Sequence, residues 1–198
     1  MTTLSSEGAR RSHVLEVAAR LLAEEGPHGL TLRRVAAAAG GSTQIVYTLF
    51  GGKPGLADAL YAEGFARLAA VGEQALAAAP LPGDPERLMA FGRAYCAFAL
   101  AEPAFFSVMF GRAIAGFTPR PETRRACRAG TLGRVVQTAA ECLAAGTLVA
   151  DDAEALAHSC WVTAHGLASL LVAGLLPVDD ASVEARLRVA VDAHRPPG

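Results

Sequence analysis

In the stretch GGSTQIVYTLFGGK, Gly40 to Lys53, hydrogen-bonding side chains and one ammonium group alternate with apolar residues. The amide of Gln44 presents a donor and an acceptor side by side, which suits the paired groups on an adenine edge. Thr43 can offer a hydroxyl, or a methyl to thymine. Ser42, Tyr47, Thr48 and Lys53, with Thr31 and Arg33 upstream, carry the hydroxyl and cationic groups that grip a phosphate, helped by N–H groups at a helix start. Other reactive side chains do not assemble into chemistry. His158 and His165 are too far apart for an HExxH-type pair, and Cys96, Cys127, Cys142 and Cys160 never form a CxxC. Ser159 beside His158 has neither an orienting acid nor a nucleophile elbow. No catalytic residue, metal site or cofactor is therefore expected, and the chain reads as a non-enzyme.

The elements that must hold these groups are helical. The chain has 198 residues, 52% of them hydrophobic and 19% charged, with no β-branched run of strand length. A first helix is expected from about Ala9 to Glu25, with Val14, Ala18, Leu21 and Leu22 on one stripe. Thr31 would cap a short second helix whose inner face is Val35, Ala36 and Ala39. Gly40-Gly41 would turn the chain into a third helix capped by Ser42 and running to Phe50. Val46, Leu49 and Phe50 would face inward, and Thr43, Gln44, Tyr47 and Thr48 outward. Such a helix is too short to stand alone. Neighbouring helices hold it, and its outer face is left to read something: two short helices and a glycine turn make a helix-turn-helix.

Downstream, the periodicity predicts a long helix from Lys53 to Ala79 and another opened by Asp84-Pro85 with the stripe Leu88, Phe91, Tyr95 and Phe98. EPAFFSVMFG follows, then a loop RAIAGFTPRP, one continuous helix from Pro121 to Ala145, a helix capped by Asp151 or Asp152, and a last one from Asp180 to His194. Ala155 to Leu176 lacks Asp, Glu, Lys and Arg, long enough to span a bilayer. Its Ser, Thr and His content predicts instead a helix buried on most sides by protein.

Net charge is −1, which excludes a polycation that coats nucleic acid. The basic excess is local: Gly26 to Ala57 holds Arg33, Arg34 and Lys53 with no acid, against 15 basic and 19 acidic side chains elsewhere. Scattered cysteines and the absence of a signal-type N-terminus fit a reduced, cytoplasmic protein. Arg10 and Arg11, at the start of the first helix, could add a phosphate or minor-groove contact.

The series Gly26, Thr31, Ala36, Gly40, Ser42, Tyr47, Phe50, Lys53 and Leu56 within VLEVAARLLAEEGPHGLTLRRVAAAAGGSTQIVYTLFGGKPGLADAL resembles the DNA-binding domain of the TetR family of bacterial transcriptional regulators. CWVTAHGLASLLVAGLL, with Trp161, His165 and Gly166, and EPAFFSVMFG resemble the tryptophan-histidine-glycine variety of that family's C-terminal domain. Three positions depart from the pattern. Gly41 replaces a branched apolar residue and would loosen the pivot, Pro54 replaces an acid, and Leu49 stands where an aromatic or histidine is common.

The resemblance implies an all-α protein of about nine helices, with a three-helix DNA-binding domain over 1–52 and a larger ligand-binding and dimerisation bundle over 53–198. It implies a homodimer on an operator, seamed by the last two helices, with Leu167, Leu170, Leu171 and Gly174 on one and Val183, Leu187 and Val191 on the other. Phe91, Tyr95, Phe98, Phe106, Met109, Phe110, Trp161 and His165 would line a pocket for a hydrophobic small-molecule effector, although each taken alone also suits plain core. The implied function is a repressor released by that effector. The competing reading is a ligand-binding helical dimer with decayed DNA recognition.

Overall fold

The computed structural model describes residues 2–111 and 113–197, and the side chains of 7–26, 28–111 and 113–197. Arg112 of the expected loop RAIAGFTPRP lies outside the described residues. All regular structure is helical: α1 (Thr2–Glu25), a 3₁₀ turn (Gly26–His28), α2 (Leu32–Ala38), α3 (Thr43–Phe50), α4 (Lys53–Ala78), α5 (Glu86–Ala101), α6 (Pro103–Phe110), α7 (Pro121–Gly130), α8 (Leu132–Ala144), α9 (Ala153–Val172) and α10 (Asp180–Asp192). The chain forms two compact units that do not divide at 52/53. Residues 1–65 and 103–125 make one, and 66–102 and 126–198 the other, so the divisions fall inside α4 and α7.

In the first unit, α1 buries the expected stripe of Val14, Ala18, Leu21 and Leu22. Val35 and Ala36 of α2, Val46 and Phe50 of α3, Leu56 and Leu60 of α4, and Phe105 of α6 complete the core. Leu49 and Ala39, expected inside, are only half-buried. Arg34 pairs with Glu25 at the end of α1.

In the second unit α5 is the central rod, with α8, α9 and α10 against it. Its buried side includes Leu88, Phe91, Tyr95 and Phe98, the stripe legible in the sequence. Arg87, also buried, donates to the carbonyls of Leu76 (3.2 Å) and Pro80 (2.8 Å) and so closes the C-terminal end of α4. Arg93 bridges Glu86 (2.6 Å) and Glu184 (2.9 Å), fastening α10 to α5.

Two expectations fail here. The helix predicted from Pro121 to Ala145 is interrupted at Thr131, giving α7 and α8 and a total of ten α-helices among the described residues. Gly130 and Gly133 flank the break, and the Thr131 hydroxyl donates back to the Cys127 carbonyl at 2.9 Å, competing with the helical ladder. α9 is long and apolar enough to cross a membrane, yet it is not buried on most sides. Leu156, Ala164, Leu167 and Leu171 face protein, while Val162, Gly166 and Leu170 form an exposed stripe on the other side.

Candidate nucleic-acid interface and cavities

Thr31 adopts the extended cap geometry, and its hydroxyl oxygen accepts from the Arg34 N–H at 3.3 Å, setting the start of α2. Gly40, at φ 72°, turns the chain, and the Gly41 N–H returns to the Ala36 carbonyl at 2.8 Å. Ser42 occupies the cap position of α3 but makes no side-chain capping bond, contrary to the expected cap. Its hydroxyl is exposed beside the helix N-terminus. Gly41 itself has ordinary backbone angles, and a Cβ there would meet the Ile45 side chain at 3.5 Å, a normal contact.

Burial then separates the two faces of α3. Val46 and Phe50 are inside, whereas Thr43, Gln44, Tyr47 and Thr48 are exposed. Tyr47 is 53% exposed, standing mostly clear of the core. Thr31, Arg33 and Lys53, the last being the first residue of α4, are exposed as well. Arg11 has another task than the one expected: it donates to the Leu49 carbonyl at 3.1 Å and its guanidinium lies 4.6 Å from the Phe50 ring centre, tying α1 to the end of α3.

Beside this head lies a groove of about 650 Å³, whose lining includes Arg11, Phe50, Lys53, Asp58, Ile114 and Arg120. A second groove of about 710 Å³ runs along the other side of residues 114–118 against Tyr61, Met109 and Phe110. Just after this segment the chain is pinned by Asp58, which is 3% exposed. Its carboxylate accepts from the Arg120 N–H (2.9 Å), Arg120 Nε (2.8 Å) and Thr123 Oγ1 (2.7 Å). Burial alone would raise its pKa, but the bonds from Thr123 and Arg120 outweigh burial and hold it below the usual carboxylate value of 3.8. The clamp is therefore complete above that value and is lost as pH falls below it. Asp58→Asn is expected to lower stability by about 1–3 kcal/mol at neutral pH and to remove that acid-side loss, read by denaturant unfolding across pH. The sequence signal for this clamp was one acid inside the apolar run GLADALYA.

The residues expected to line one pocket are divided. Phe91, Tyr95, Phe98, Trp161 and His165 belong to the second unit, and Phe106, Met109 and Phe110 to the first. The Tyr95 hydroxyl and His165 Nδ1 share a hydrogen bond of 2.8 Å, and the Trp161 ring lies 5.8 Å from that of His165. Burial lowers the His165 pKa and raises that of Tyr95, so both are neutral at pH 7. The cavity touching Phe91, Tyr95 and Trp161 is only about 30 Å³, and neither Phe98 nor His165 lines it. That is room for about one water, not for an effector. Met109 and Phe110 line the second groove, while Phe106 is buried with its ring 5.2 Å from Phe110. Among the described residues no three His, Cys, Asp or Glu side chains gather as a metal site.

Comparison with known proteins bears on the whole chain. Residues 14–60 match the family described as bacterial regulatory proteins, tetR family. Residues 88–194 match the tetracyclin repressor-like C-terminal domain. A structure of a protein of unknown function from Rhodococcus sp. RHA1 is 31% identical, covers 93% of this chain and 92% of its own, and superposes with a TM-score of 0.77. A TetR family transcription regulator from Marinobacter aquaeolei VT8, 16% identical over 100% of both chains, shares the fold at a TM-score of 0.78. One described as a putative tetR family transcription regulator from Shewanella sp. PV-4, 19% identical over 95% of this chain and 99% of its own, does so at 0.75. No curated protein matches the sequence. With both halves matched and the helix-turn-helix displayed at the surface, the chain belongs to the TetR family of bacterial regulatory proteins.

Proposed function

We propose that this DNA-binding transcriptional regulator acts in the cytoplasm as a homodimeric repressor, released from its operator by a hydrophobic small molecule. The observation that carries the reading is the exposed polar face of α3, supported from beneath by Val46 and Phe50. Thr43 and Gln44, at the leading end, read base edges. Thr31, Arg33, Ser42, Tyr47, Thr48 and Lys53 hold phosphates and set the register. Residues 1–52, with Lys53 at the start of α4, supply this function, and the rest of 53–198 supplies dimerisation and effector binding. One α3 reads too few base pairs for useful specificity, so two must enter successive major grooves about 34–36 Å apart.

The seam proposed here takes the exposed residues of α9 and α10. Leu167, Leu171, Leu187 and Val191 are buried within the protomer and hold α9 and α10 to it. Leu170 remains available, joined by Val162 and Gly166 on α9 and by Ala185 and Val189 on α10. Effector binding beside Tyr95, Trp161 and His165 requires the small cavity there to enlarge, and the enlarged state would favour a dimer whose two α3 helices no longer match the grooves. Ligand and operator then weaken each other by the same factor.

Gln44→Ala is expected to relax preference at one base pair, by about 1–3 kcal/mol, while Lys53→Ala weakens all sequences alike and reduces the salt slope by about 1. Titrating an operator selected from the promoter-proximal DNA beside the gene, at several salt concentrations, separates the two. Wild-type affinity and preference in both variants would sink the assignment.

A further inference from the structure

The geometry points to the groove beside the reading head as a binding site for an anionic amphiphile, a medium-length hydrocarbon chain ending in a carboxylate. At about 650 Å³ it falls within the roughly 300–1,000 Å³ typical of small-molecule sites. Arg11, Lys53 and Arg120 face it against one acid, Asp58. Asp58 is already occupied by Arg120 and Thr123, so it neither repels strongly nor needs a further cation. Among the described residues Arg11 reaches a carbonyl and a ring but no carboxylate, and exposed Lys53 has no ion pair. Two cationic charges not neutralised by a carboxylate among the described residues therefore stand beside a floor that includes Phe50 and Ile114.

That combination selects a ligand with both parts. A bare anion leaves the floor wet, and an uncharged chain leaves the cations unanswered. Segment 114–118, shared with the second groove, offers further apolar surface through Phe117, whose ring is 6.2 Å from Tyr61. The head group would engage Lys53, which the DNA reading assigns to a phosphate, so occupancy competes with operator binding. Only this last consequence rests on the DNA reading.

Calorimetric titration of the full chain, free of DNA, tests the site with decanoate, decanol, acetate and decyltrimethylammonium. Decanoate is expected to bind at least tenfold more tightly than each of the others. Lys53→Gln with Arg11→Gln should bring decanoate to the level of decanol. Thr118→Glu, an exposed change on the rim of both grooves, should weaken decanoate at least tenfold with unchanged helicity and melting. Tyr95→Phe should leave it untouched. Decanol or acetate binding as well as decanoate, or loss in Tyr95→Phe with full binding in Thr118→Glu, would overturn the proposal. A wild type that binds decanoate yet keeps its operator affinity would overturn the competition and leave the DNA reading to its own test.

Discussion

Gly55→Ala is expected to collapse the corner between α3 and α4 and take the reading helix with it. A Cβ at position 55 would lie 1.6 Å from the Phe50 carbonyl oxygen and 2.8 Å from its carbon. These are backbone atoms at the C-terminal end of α3, where Gly51 at φ 71° already closes the helix, so no side chain can swing aside. Relief requires α4 to pull away from Phe50, whose ring is part of the core of the first unit. Overpacking of this kind costs about 3 kcal/mol or more, a large share of the roughly 5–15 kcal/mol that holds a domain together. For a chain of this size that is a fall in melting temperature of about 6–12 °C. Gly8→Ala, where a Cβ meets nothing within 4 Å, is the matched control. Thermal unfolding followed by circular dichroism decides it. A Gly55→Ala protein melting within about 1 °C of wild type would show that the corner is not so tightly built.

Leu170→Asp combined with Val189→Asp is expected to yield a folded monomer. Leu170 is 43% and Val189 71% exposed on the single protomer, so a carboxylate at either place costs the fold little. In a dimer the same carboxylates would be driven, unpaired, into an apolar seam. Because the second α3 adds its contacts without a second association event, losing it should weaken operator binding by about 10²–10⁴-fold. Sedimentation reports the first effect and operator titration the second. A variant that remains dimeric moves the seam elsewhere. Leu187→Asp serves as the contrast: Leu187 is buried against α5, and its change should unfold the second unit.

How much of this was legible depended on whether a residue's neighbours are near it in the chain. The two faces of α3 could be read because Val46 and Phe50 recur at helical spacing while Thr43, Gln44, Tyr47 and Thr48 fall opposite. Thr31 declared its helix start, and the pair Asp151-Asp152 declared another without saying which residue caps it, since each cap bonds within three residues. α9 did not declare its core face: Val162, Leu167, Leu170 and Leu171 are all apolar, and the packing of α5, α8 and α10 separates them. Asp58 gave no hint that Arg120 and Thr123 would reach it, and nothing local told Arg33, exposed, from Arg34, paired with Glu25. The effector residues were the least legible, because aromatic spacing looks the same for a lined pocket and a filled core.

The four thiols are unbridged, and at Cys96 and Cys160 burial pushes the pKa to about 11. Almost no thiolate exists there at neutral pH. Cys96 is buried with its thiol 3.8 Å from the Ala164 carbonyl, so an alkylating reagent can modify it only during excursions that let water in between α5 and α9, whereas Cys160 is half-buried. The labelling rate at Cys96 thus becomes a clock for transient opening of the bundle, already written into the chain. An effector that wedges the helices apart should speed that clock, and one that cements them should slow it.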